Sequence, residues 1–281
     1  MMGNPSFFQD CGSRRREFDT LGHSLSNYMG RDHLRTKYHN DIEREIHFLA
    51  TTVGMSMRMT PTDLFLRDIL PQNRQRYVMA TRGGRRPDHG RFNGALVPDL
   101  YHAESRTMYD VKTTGFSSGL YFRRQSVVDN KADSVPGEYV RKAASADSIF
   151  NGTTREMRPG PVEARVASMK QVVCISVGAF GEVNRATTDL LSQIAEQGSR
   201  HPERFGCCHG QVQAKGVIAQ WAMRRFGRIC LRGAVRVRHG ALEAVMSRTN
   251  ANQAPLRNRG RTETPWNEWD SGNRAWVPAT R

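Results

Sequence analysis

The feature that most constrains the fold is the decapeptide QVVCISVGAF at 171–180. Its apolar, β-branched residues run on without the polar alternation of a half-solvated strand, which predicts a strand buried on both faces. A sheet covered above and below needs helices on both sides. Helical spacing is present on either side of this run. Ile42, Ile46, Leu49 and Val53 recur on one face of HNDIEREIHFLATTVG (39–54), with Gly54 as the stop. Tyr139, Ala143, Ala146 and Phe150 do the same over 137–150, with Pro136 in the first turn. Leu190, Leu191 and Ile194 predict a helix over 184–198 ended by Gly198, and helical patterning resumes across 211–247. Two further β-rich runs, ALVPDLY and TMYDVKTTG, are joined by the polar HAESR and predict a hairpin. A turn-helix signal occupies 60–70, and Tyr77–Ala80 reads as a short strand. The order of helix, hairpin, helix, strand and helix predicts an α/β domain with a mixed β-sheet flanked by helices. The expected divisions are an irregular basic arm over 1–30, the α/β domain over 31–200, a helical basic extension over 201–247 and an irregular tail over 248–281.

Composition narrows the function class. The 42 Lys+Arg against 27 Asp+Glu give a net charge of +15, and the resulting positive field attracts polyanions, nucleic acid foremost. No apolar run approaches the roughly 20 residues that span a bilayer, and MMGNPSFFQDCGSRRREF lacks the apolar core of a signal peptide. The 5 cysteines are scattered and odd in number, so a reducing compartment inside the cell is expected rather than a disulfide framework. Cys207-Cys208-His209 lacks the distant second ligand pair of a zinc site, and VGAFGEV (177–183) lacks the Gly-Lys-Ser/Thr of a phosphate loop. Trp266, Trp269 and Trp276 are unusual for a pure linker; a tail that docks on something and an incidental placement are equally open readings.

The chemistry concentrates in the hairpin. On a strand, residues i and i+2 share a face, so Asp110 and Lys112 emerge side by side while Val111 points the other way. A lone Asp-x-Lys is commonly an exposed ion pair worth about 0–1 kcal/mol. Here Pro98-Asp99 precedes it by ten residues on the neighbouring run. Pro87-Asp88 competes for that place, but RRPDHGRFNG reads as loop, whereas Asp99 follows the strand-like ALV.

Pro98-Asp99 followed by Asp110-Val111-Lys112 resembles the PD-(D/E)xK motif of restriction-endonuclease-like nucleases, over about residues 39–182. The resemblance implies a restriction-endonuclease-like sheet and hydrolysis of nucleic-acid phosphodiesters with Mg²⁺ or Mn²⁺; the sequence does not decide between DNA and RNA, and DNA is placed ahead of RNA as the expected partner. It also implies roles: Asp99, Asp110 and the Val111 carbonyl as metal ligands, and Lys112 as the group that orients water and offsets transition-state charge. Magnesium takes oxygen ligands and keeps several waters, so two carboxylates and a carbonyl suffice, and the lysine relieves their mutual repulsion. Family members often add a glutamate from the preceding helix; Glu43 and Glu45 both flank the apolar stripe, Glu43 marginally closer. His39 also projects onto the stripe, as a core or capping histidine. Arg123, Arg124 and Gln125 lie where some relatives place substrate-contacting or supporting residues. Arg224, Arg225, Arg228 and Arg232 fall on one side of a helix and form a basic ridge suited to backbone phosphates. By association with the family's members, the resemblance also implies a nuclease of mobile-element or viral type. The competing expectations are a non-catalytic, basic nucleic-acid-binding or packaging protein, and a degenerate nuclease scaffold.

Overall fold

The computed structural model describes residues 7–9, 15–17, 32–81, 96–114, 126–151, 159–206, 210–261, 268–270 and 275–277. The chain divides into two compact units, one of Asp32–Val237 and one of Met1–Arg31 with Arg238–Arg281. In the second, Phe7–Gln9 pairs antiparallel with Arg15–Glu17, and Glu268–Asp270 with Ala275–Val277.

The first unit runs α1 (Asp32–Thr52), β1 (Met57–Met59), α2 (Pro71–Thr81), β2 (Leu100–His102), β3 (Thr107–Thr113), α3 (Val127–Ala146), α4 (Pro161–Ser168), β4 (Gln171–Val177), α5 (Arg185–Ser199) and the start of α6 (Gln211–Arg261). One mixed four-stranded sheet has the order β1-β2-β3-β4. The first three strands are antiparallel, and β4 lies parallel to β3, with Asp110 beside Cys174 and Lys112 beside Ser176. A parallel neighbour requires a crossover, which α3 and α4 supply.

Side-chain alternation sorts the sheet into two apolar layers. Tyr109, Val111, Ile175 and Val177 face Ile42, Ile46 and Leu49 of α1, Leu190 and Ile194 of α5, and Ile218 and Phe226 of α6. Met108 and Cys174 face Val135, Tyr139 and Ala143 of α3 and Val162 of α4. Both faces of β4 are therefore covered, and Cys174–Val177 are buried, as its continuous apolar run implies.

β1, α4 and the paired strands within 1–30 and 248–281, segments expected to be irregular, add to the expected elements, and four expected elements change. Tyr77–Ala80 is helical within α2, because Pro71 opens a helix whose Tyr77 turns into the core and stacks edge-on against Phe150. The first hairpin strand is confined to Leu100–His102, since the chain bends at Asp99. α3 begins at Val127, capped by Ser126, so Pro136 lies inside the helix rather than in its first turn. Helix α6 continues to Arg261, past the boundary expected at 247. Among the described residues no helix is long and apolar enough to cross a membrane.

Candidate functional site

Asp99 lies just before β2 begins at Leu100. The register that pairs Leu100 with Tyr109 brings Asp99 opposite Asp110 one step further on. The bend carries the chain away before it can complete the ladder, and the Asp99 side chain replaces it: Oδ2 accepts the Val111 N–H at 2.6 Å. The Asp99 carbonyl accepts the Thr60 N–H at 2.7 Å. Tyr77 donates to the Leu96 carbonyl at 2.5 Å, which anchors the buried segment leading into the bend. Val111 donates toward Asp99, and in a strand the N–H and C=O of one residue point to the same neighbour, so the Val111 carbonyl faces this side too.

Helix α1 presents His39 and Glu43, one turn apart, to the same place. His39 Nε2 lies 3.1 Å from Asp99 Oδ2, and Nδ1 lies 3.2 Å from Asn40 Oδ1. Burial works to lower the imidazole pKa, but the hydrogen bond and charge of Asp99, with Asn40 and Glu43 adding, raise it from 6.5 to about 9. Without an ion this favours the protonated ring, whose N–H groups reach Asp99 and Asn40; to ligate a cation, Nε2 has to give up its proton. Glu43 is buried and accepts the Thr60 hydroxyl at 2.8 Å. Burial raises its pKa and the Asp99 charge adds to this, against the Thr60 hydrogen bond and His39. Thr60 itself has φ +40°, a costly conformation for a β-branched residue, and it links β1 to both acids.

Across the sheet, Asp110 is 4% exposed and faces α3. The Tyr139 hydroxyl donates to Oδ1 at 3.2 Å, and the Lys112 ammonium lies 2.5 Å from Oδ2. Oδ2 is buried, and among the described residues the Lys112 ammonium is the group paired with it. Burial raises the Asp110 pKa; Lys112 opposes this and the Asp99 charge reinforces it. Burial likewise disfavours the Lys112 ammonium, yet Asp110 and Asp99 overcome it and raise its pKa.

The donors thus approach from both faces of the sheet. His39, Glu43 and Asp99 offer ligand atoms all within 4.8 Å of one another, a set that can hold a divalent cation. Asp110 and Lys112 lie outside that group, on the α3 side, in electrostatic contact with Asp99. Glu43 rather than Glu45 joins Asp99. Glu45 instead takes Arg225 from α6, at 2.6 Å from Nε and 3.3 Å from Nη2. Arg225 also lies 4.4 Å over the Phe48 ring, which removes it from the proposed ridge. Arg224, Arg228 and Arg232 are exposed on α6 with no carboxylate partner among the described residues. Arg123, Arg124, Gln125, Asp88 and Cys207-Cys208-His209 lie outside the described residues. Sequence reasoning missed Thr60 and Tyr139 as site residues and took His39 for a core or capping group. The i, i+4 spacing of His39 and Glu43 was the available signal. No family model, curated protein or solved structure matches this chain.

Proposed function

We propose that this protein is a metal-dependent nuclease of restriction-endonuclease-like fold that hydrolyses nucleic-acid phosphodiesters, DNA in preference to RNA. The carrying observation is the convergence of His39, Glu43 and Asp99 within 4.8 Å, beside an Asp110–Lys112 pair 2.5 Å apart. Asp99 and Glu43 would hold Mg²⁺ or Mn²⁺, with His39 and the Val111 carbonyl in reach and Asp110 approaching from the other face. When bound, the ion supplies charge neutralisation at the phosphoryl oxygens and an acidified water. Lys112 orients the attacking water and offsets charge on the phosphorus oxygens. Water adds to phosphorus, the bond to the leaving oxygen breaks, and that oxygen departs with a proton. Arg224, Arg228 and Arg232 hold the backbone phosphates without reading bases. The family resemblance extends this reading to a mobile-element or viral type of nuclease working inside the cell.

The test is cleavage of single- and double-stranded DNA and RNA in Mg²⁺, Mn²⁺ or EDTA. Wild type should give ion-dependent products that Asp99→Asn, Asp110→Asn and Lys112→Met abolish. Three exposed arginines on α6, Arg224, Arg228 and Arg232, also favour a purely binding protein. Retained nucleic acid with no ion-dependent product from any substrate would leave that reading standing and remove the enzyme.

A further inference from the structure

The charge of Asp110 is already matched within the chain. Its carboxylate is buried, Tyr139 occupies Oδ1, and the Lys112 ammonium lies against Oδ2. A divalent ion ligated by this carboxylate meets a like charge on the same oxygen, and in a buried site two cations so close repel strongly. The ion and the ammonium therefore compete for Asp110.

The neighbouring strand holds a second place for the ammonium. In the parallel register Lys112 stands beside Ser176, and register partners in a parallel pair share a face. That face is the Asp110 side, because Cys174, two residues earlier, packs with Tyr139 and Val135. Ser176 is 0% exposed, and its hydroxyl has no hydrogen-bond partner among the described residues. Its backbone is satisfied through Asn184, whose Oδ1 accepts the Ser176 N–H at 3.1 Å and whose N–H donates to the Ser176 carbonyl at 3.1 Å. Only the hydroxyl is left over. An unpaired buried hydroxyl is destabilising, so its presence calls for a partner that arrives. Adjacent strands lie about 4.8 Å apart, within the swing of a lysine side chain.

We propose that Lys112 is a two-position residue: counter-ion to Asp110 in one position, hydrogen-bonded to the Ser176 hydroxyl in the other, with a divalent ion on Asp110 driving the exchange. Ser176 is the positioning residue for the second place. The exchange makes Asp110 a ligand only as Lys112 leaves, and it leaves the ammonium held by a neutral acceptor, free to face a substrate phosphate. The inference rests on Asp110 serving as an ion ligand in the proposed nuclease site.

Mn²⁺ binding to the full chain, measured by loss of the free-ion electron paramagnetic resonance signal after chelator treatment, tests it without requiring activity. Lys112→Met and Lys112→Gln should each bind Mn²⁺ about tenfold tighter than wild type, and adding Asp110→Asn should erase that gain. Ser176→Ala should bind Mn²⁺ about threefold or more weaker, with its melting temperature in EDTA unchanged or higher. Unchanged or weaker binding in both Lys112 variants overturns the exchange and confines the ion to His39, Glu43 and Asp99. A Ser176→Ala protein that melts lower in EDTA, or binds Mn²⁺ as wild type does, overturns the role of Ser176. Tighter binding in the Lys112 variants of a protein that cleaves no nucleic acid supports the exchange while removing the nuclease reading.

Discussion

Replacing Arg225 with alanine separates a structural arginine from the neighbours proposed to face phosphate. Glu45 is held by two hydrogen bonds from this guanidinium and its side chain is 9% exposed, whereas the Arg225 side chain is 42% exposed. Breaking a fully buried pair by removing one partner costs about 3–5 kcal/mol, because a buried charge is left alone. A fully exposed pair is worth about 0–1 kcal/mol. This pair lies between those limits, since water reaches the guanidinium side of Glu45 once the arginine is gone, which gives roughly 1.5 kcal/mol. The guanidinium 4.4 Å over Phe48 adds about 0.5–1 kcal/mol. Arg225→Ala should therefore lower unfolding stability in urea by about 2 kcal/mol, and a double-mutant cycle with Glu45→Gln should show a coupling of about 1 kcal/mol. The slope of nucleic-acid affinity against salt should stay at its wild-type value in Arg225→Ala. By contrast, Arg228→Ala should cost under about 0.5 kcal/mol of stability and reduce that slope by about one unit. A loss below about 0.5 kcal/mol with zero coupling would refute the argument that this arginine clamps α6 to the helix bearing His39 and Glu43.

Two further outcomes follow from packing and charge. A Cβ at Gly233 collides with the Tyr38 ring, whereas one at Gly216 meets nothing within 4 Å. Gly233→Ala should destabilise the protein by about 1–3 kcal/mol and Gly216→Ala stabilise it by about 0.5–1 kcal/mol in urea unfolding. The His39 pKa is raised from 6.5 to about 9, so the stability it contributes is fully present below pH 6.5 and is lost as pH rises through about 9. With the ring 26% exposed, the discounted loss is about 2 kcal/mol between those limits. Urea titrations in EDTA at pH 6 and 9.5 should show it in wild type and not in His39→Gln; equal losses in both would place the titration elsewhere.

Local pattern was enough for much of the scaffold. The continuous apolar run marked β4, and the polar HAESR between two β-rich runs marked the turn that pairs β2 with β3. The period-2 geometry of a strand put Asp110 and Lys112 on one face, and the 2.5 Å contact is its direct consequence. The apolar stripe of α1 fixed which side of the helix meets the sheet, which narrowed the acidic candidates to its two flanks. Where burial rather than period decided, the pattern misled: Tyr77 sits in a helix because its ring fills a space beside Phe150.

What the sequence determined by itself was therefore the period of each segment and the face each side chain takes on it, since both follow from backbone geometry within a few residues. Tertiary structure alone decided the partners: His39 with Asp99 across 60 positions, Arg225 with Glu45 across 180, and Ser176 beside Lys112 through a parallel register. Those pairings depend on how helices and strands stack, and a local repeat carries no information about which distant group will be brought alongside.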